Sequence, residues 1–214
     1  PEDLMRIQMR IYGTYHMKDP QVFYNKEDVW RTPNEIYGSN EIELRPYYII
    51  LKLPDAQKEG FFLITPLIPR GKENMIAWFA AHSDPEEYGK LEVFKLSKQE
   101  LTYGPMQIEA RIDQDTEISQ LLTLWGQKGS EVIRGSLIII PIEQSFLYIE
   151  PIYLKASAAA GALPQLKRVI VAYEDKVVME ETLEDALGVI FRGRVEKLKD
   201  EIKTIKGTTG QIPE

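Results

Sequence analysis

The stretch GPMQIEARIDQD, residues 104–115, sets three carboxylates, Glu109, Asp113 and Asp115, around Arg111. Carboxylate oxygens at this density suit a hard cation, and calcium or magnesium is the cofactor they would take. The spacing lacks the glycine at position six and the closing glutamate at position twelve of a helix–loop–helix calcium site. A carboxylate pair for glycoside hydrolysis would need a fixed separation, which spacing alone does not supply. The plainer account is alternation. Met106, Ile108, Ala110 and Ile112 fall on one face of an extended chain, and Gln107, Glu109, Arg111 and Asp113 on the other. Arg111 then offsets the repulsion of its acidic neighbours, and Asp115 and Glu117 favour a helix N-terminus. The adopted reading is a half-buried strand, with no catalytic residue assigned. A cation site on Glu109, Asp113 and Asp115 stands as the alternative.

Other chemistry is sparse. His16 and His82 are far apart and in no metal-ligand spacing. His82, Ser83 and Asp84 are consecutive, and consecutive side chains at a strand end point in different directions, so they cannot form a triad. His82 reads as a satisfied histidine at a strand terminus. No nucleophile elbow, phosphate loop or dinucleotide fingerprint occurs. With no cysteine in 214 residues, thiol, disulfide, Cys-zinc and iron–sulfur chemistry are excluded. Tyr47, Tyr48, Trp78, Tyr88, Tyr148 and Tyr153 would stack on sugars or cover a partner if they surfaced together, but burial favours placing most in the core.

The elements that position these groups are legible from spacing. PEDLMRIQMRIYGTYH opens with proline and two acids, a good first turn, and carries two apolar rows, Leu4-Ile7-Ile11 and Met5-Met9-Tyr12. So wide a face calls for cover. Residues 17–40 read as irregular. Four apolar runs, at 45–53, 61–68, 74–83 and 90–96, with short turn-rich connections predict an antiparallel meander. EISQLLTLW predicts a helix capped by Asp115 and ended by Gly126 or Gly129. EVIRGSLIIIPI and SFLYIEPIYL predict a hairpin around Glu143-Gln144, with Pro141 and Pro151 suggesting sheet edges. KRVIVAYEDKVVM predicts another hairpin, turning at Glu174-Asp175. Thr182 and Asp185 have capping-box spacing ahead of a helix through Phe191. RVEKLKDEIKTIK predicts a projecting helix with a narrow apolar stripe.

Several segments together, among them YHMKDPQVFYNKEDVW, LITPLIPRGKENMIAWFAAHSD, YGPMQIEARIDQDTEISQLLTLWGQKGSEVIRGSLIIIPI and LKRVIVAYEDKVVMEETLEDAL, closely resemble the C-terminal part of an uncharacterised bacterial family, uncharacterised protein family 0182. The resemblance spans about residues 1–193. It implies a large multi-pass membrane protein with a long region outside the membrane, and it carries no catalytic motif to transfer.

The fold expected is α+β, mostly antiparallel β-sheet of about eight or nine strands with about three peripheral helices. The expected organisation is an N-terminal helix and irregular connection at 1–40, a core domain at 41–193 and a helical or flexible tail at 194–214. A net charge of −7 without a basic stripe argues against nucleic acid. No apolar run nears the ~18 residues of a membrane span. The chain opens at Pro1 with no secretion leader and is expected to be a piece of something longer. The function expected is a non-enzymatic assembly or partner-binding module, extracytoplasmic, on a parent in the cell membrane. Its partners would be the rest of that parent and other envelope proteins. The alternative is a cation-dependent enzyme or binding module acting on cell-envelope carbohydrate or peptide.

Overall fold

Alternating apolar residues build two antiparallel sheets whose inner faces share one core. The computed structural model describes residues 2–53, 56–97, 99–127, 129–142, 145–157 and 161–192. In chain order come α1 (Glu2–Tyr15), α2 (Pro20–Asn25), β1 (Trp30–Arg31), β2 (Asn34–Tyr37), β3 (Asn40–Glu43), β4 (Tyr47–Leu51), β5 (Gly60–Pro69), β6 (Ala77–His82) and β7 (Leu91–Lys95). Then follow α3 (Pro105–Gln114), α4 (Thr116–Trp125), β8 (Ser130–Arg134), β9 (Ile138–Ile142), β10 (Ser145–Ala156), β11 (Gln165–Tyr173) and β12 (Lys176–Glu180). A last helix, α5, covers 183–192. The α+β class and antiparallel pairing are as expected. The strand count is higher, twelve among the described residues in three sheets.

The first sheet is the predicted meander, β4 to β7, with β1 added beside the far end of β5. The second runs β12-β11-β10, and β8 and β9 share the remaining edge of β10. Both predicted hairpins are present: β9 and β10 pair across 143–144, and β11 and β12 turn at Glu174-Asp175. Pro141 is on an edge strand, as read. Pro151 is not: it sits in central β10, opposite Val169, where the neighbouring strand changes from β9 to β8. A missing N–H is tolerated at that break because no ladder partner faces it.

Strand parity sorts the core. Phe62, Ile64, Ile68, Trp78 and Ala80 of the first sheet meet Phe146, Tyr148, Ile152, Ile170 and Ala172 of the second, with Ile108, Ile112 and Ile118 from α3 and α4. The opposite face of β5 and β6, Leu63, Leu67, Ala77 and Phe79, is covered by Met5 and Met9 of α1. The outer face of the second sheet is covered by Ala186 and Ile190 of α5. A side chain also ties the sheets together. The Tyr47 hydroxyl donates to the Ile139 carbonyl at 2.6 Å and accepts from the Ile139 amide at 2.9 Å.

Two readings are corrected. The segment at 17–40 is not irregular throughout: it holds α2, β1 and β2. Asp19 accepts from the amides of Gln21 and Val22, and Pro20 takes the first helical position, which is a helix start rather than mere punctuation. The larger correction concerns 106–113, which is not a strand but most of α3. Ile108 and Ile112 are four apart, a spacing that serves a strand face and a helix face alike. The other positions decide. Glu109 is buried and Ala110 exposed, the reverse of what alternation requires. Pro105 opens the helix, and the Gln107 side chain folds back to accept from the Gly104 amide at 3.0 Å. At Gly104 the backbone lies so close to the Glu73 carbonyl that a Cβ would collide with it. The predicted tail at 194–214 lies outside the described residues.

Candidate functional site

Because α3 is helical, Glu109 and Asp113 stand one turn apart on one face and converge on a guanidinium that the local sequence does not contain. That group is Arg134, at the end of β8. Its Nη1 donates to Asp113 Oδ1 at 2.8 Å, and Nη2 pairs with Glu109. Its Nε and Nη2 hold the two oxygens of Glu150 at 2.7 and 3.2 Å. Glu35 of β2 belongs to the same buried region and accepts from the Leu137 amide at 2.9 Å. Three carboxylates thus converge on one arginine, and Glu109 and Glu150, like Glu35, are each at most 2% exposed.

Burial of unbalanced charge has the expected electrostatic result. Burial, reinforced by the negative charge of Glu150, pushes the Glu109 carboxyl up to about 8 against the pull of Arg134. Burial also raises Glu150, opposed by its hydrogen bond to Arg134. It raises Glu35, opposed by the amides of Leu137 and Arg45. For Arg134, burial disfavours the charge, but the Glu150 hydrogen bond and the surrounding carboxylates outweigh it, so its guanidinium is held above its ordinary range. Burial thus favours the protonated form of Glu109. The Arg134 ion pairs clip α3, β8 and β10 together.

The three acids read from the sequence are thus divided. Glu109 and Asp113 meet on Arg134, whereas Asp115 caps α4, accepting from the Ile118 amide at 3.0 Å. Arg111 turns away from them all. It donates to the Glu174 carbonyl at 2.8 Å and lies over the Tyr103 ring at 4.7 Å, so it is not the counter-ion the sequence suggested. Arg134 occupies the centre that a cation would need. Among the described residues, no three His, Cys, Asp or Glu side chains are grouped as a metal site requires. Sequence reasoning missed Arg134, Glu35 and Glu150. Glu150 carried a signal, as a lone acid inside the apolar run SFLYIEPIYL.

His82 is satisfied, as read. Its Nδ1 lies 3.0 Å from Glu87 and its Nε2 2.9 Å from Glu92, and Lys90 contacts both acids. Ser83 reaches the Ala81 carbonyl and Asp84 the Phe61 amide, so the three consecutive residues indeed point apart. A cleft of about 580 Å³ opens beside His82, with Phe62, Lys58 and Asp84 among its walls. Both imidazole nitrogens already face carboxylates. The six aromatics do not form one platform. Trp78 and Tyr148 are in the core, Tyr48 is half-exposed against Phe61, and Tyr88 stands out on the β6–β7 connection.

The remaining feature is α1. Met5 and Met9 are buried, whereas Leu4, Ile7, Ile11 and Tyr15 are 66%, 52%, 48% and 68% exposed. Of the two apolar rows in the sequence, the fold consumes one. Among the described residues no helix is long and apolar enough to cross a membrane.

A family model described as an uncharacterised protein family (UPF0182) matches residues 1–125. A UPF0182 protein of Methanospirillum hungatei is 58% identical over 91% of this chain, which corresponds to 22% of that protein. One from Trichodesmium erythraeum is 55% identical over 97% of the chain and 22% of its own length. One from Pelotomaculum thermopropionicum is 57% identical over 89% of the chain and 21% of its own length. The chain therefore spans about a fifth of the curated relatives it matches. No solved structure matches it.

Proposed function

Since the chain belongs to the uncharacterised protein family UPF0182, we propose that it is a non-enzymatic assembly module of a larger membrane-anchored protein. In this reading it stands outside the cytoplasm and binds the rest of its parent or a partner in the cell envelope. The observation that carries the reading is the second apolar row of α1, left in solvent on a helix whose other side is fully packed. A persistent apolar row on a folded surface marks an interaction site more often than a catalytic one. The groups with chemical potential are committed inward. Arg134 and its carboxylates join three elements, and His82 joins β6 to β7 and the connection between them.

Two measurements test this on a full-length parent. A cysteine-free parent carrying Tyr24→Cys, at a position 86% exposed, is labelled in intact cells with a membrane-impermeant maleimide. Labelling supports the extracytoplasmic side, and protection until lysis contradicts it. Deleting this region should also shift the parent out of its assembled fraction on native gels. Turnover by the isolated chain across a panel of envelope glycans and peptides would overturn the non-enzymatic reading.

A further inference from the structure

We infer that the Leu4-Ile7-Ile11-Tyr15 row of α1 is the seat of a second helix, supplied by the part of the same polypeptide outside residues 1–214. The inference rests on the assembly reading and names its partner. The spacing is 3, 4 and 4, the seam into which another helix sets its side chains. At about 100° per residue, this row lies roughly 150° around the helix from Met5, Met9 and Gly13, so a partner could dock without disturbing α1 on its sheet. A groove of about 340 Å³ runs beside the N-terminal end of the row, with Leu4 and Gln8 on one side and Tyr88 and Leu91 on the other. At the far end Tyr15 is closed off by Phe23 of α2, their ring centres 5.6 Å apart.

Size and charge choose the occupant. Four partly exposed side chains offer a few hundred Å², well short of the ~800 Å² per partner that stable association of separate chains requires. A tethered helix needs no such area, because linkage replaces bulk concentration with a high local one. The relatives are four to five times longer than this chain, so the family has polypeptide to supply it. A lipid headgroup surface fits poorly. The net charge is −7, and the two arginines of α1, Arg6 and Arg10, both face Glu43.

The test uses the full-length parent with a photo-crosslinking benzoylphenylalanine at Ile7, and another at exposed Leu166 of β11 as control. Isotopically light and heavy copies are mixed before irradiation. The expected result is a cross-link from position 7 to a light–light or heavy–heavy peptide of the same polypeptide outside 1–214, with apolar residues three and four apart. Mixed-isotope products, cross-links to lipid or to another protein, or yields no higher than at position 166 would overturn it. In parallel, the pair Ile7→Asp and Ile11→Asp should leave the isolated chain's Tm within about 2 °C but lower that of the parent by more than twice as much. Equal shifts in both would contradict a seat filled only in the parent. A cross-link to a different protein would sink the tethered helix and leave the assembly reading standing. Turnover by the isolated chain would sink that reading without touching the cross-link.

Discussion

The Arg134 and His82 clusters are built from the same kinds of group and differ in where they sit. Around Arg134, three carboxylates share one guanidinium, Glu109 and Glu150 almost completely buried and Asp113 at the exposed edge. Around His82, two carboxylates contact both the imidazole and Lys90, and Glu87 and Lys90 are each about half exposed. Water supplies at the second what protein must supply at the first. The difference shows that a dense carboxylate cluster is not by itself a catalytic signature: burial turned one into an internal clip whose Glu109 is pushed toward its protonated form, and exposure left the other an ordinary hairpin clasp.

The comparison breaks most sharply at Arg134. Arg134→Ala leaves Glu109 and Glu150 buried without a counter-charge, and should cost about 3–5 kcal/mol in denaturant unfolding at pH 8. The cost should be smaller at pH 5, where the carboxyls take up protons. A change under about 1 kcal/mol at pH 8 would mean that the cluster is not load-sharing at all.

The second test is the pH dependence of the unaltered chain. Glu109 rises from an ordinary 4.5 in the unfolded chain to about 8 in the folded one. Below about pH 4.5 both states hold the proton and its stabilising effect is complete. As pH rises toward and through 8, the unfolded chain has released the proton and the folded one must follow, so stability declines by a few kcal/mol. Glu109→Gln should be nearly neutral at pH 5, more stable than the parent sequence at pH 9, and flatter between. An unchanged slope would assign the titration elsewhere.

His82→Ala should cost less, about 1–2 kcal/mol, since it removes a ring that contacts two carboxylates at the edge of the fold. Lys90→Ala, at an exposed position, should leave Tm unchanged within error. The smallest effect is expected from millimolar calcium or magnesium. Occupancy at 100 times a dissociation constant would add about 2.7 kcal/mol, and no Tm shift is expected while Arg134 fills the space between Glu109 and Asp113.

The meander, both later hairpins, the Asp115-capped helix and the helix after Thr182 were legible because each depends on short-range rules: turn residues, caps and strand-length apolar runs. Residues 106–113 were misread because a two-residue and a four-residue period coincide at Ile108 and Ile112. The Gly104-Pro105 start was the available signal, and it should have outweighed the alternation. The candidate site was half legible. Glu109 and Asp113 were singled out, but their cation comes from 21 and more residues away, on a strand whose register no local pattern reveals. The exposed row of α1 was visible from the start as one row too many.

The contact between Gly104 and the Glu73 carbonyl has a reach beyond its own turn. Two stretches of main chain touch there with nothing between them, so the seating of α3 is decided by the absence of a methyl group. Replacing that glycine by alanine adds no charge and removes none, yet it would lever the start of the helix outward and draw Glu109 off its guanidinium. The electrostatics of the interior thus hang on a residue without a side chain, five positions upstream of the acid it aims.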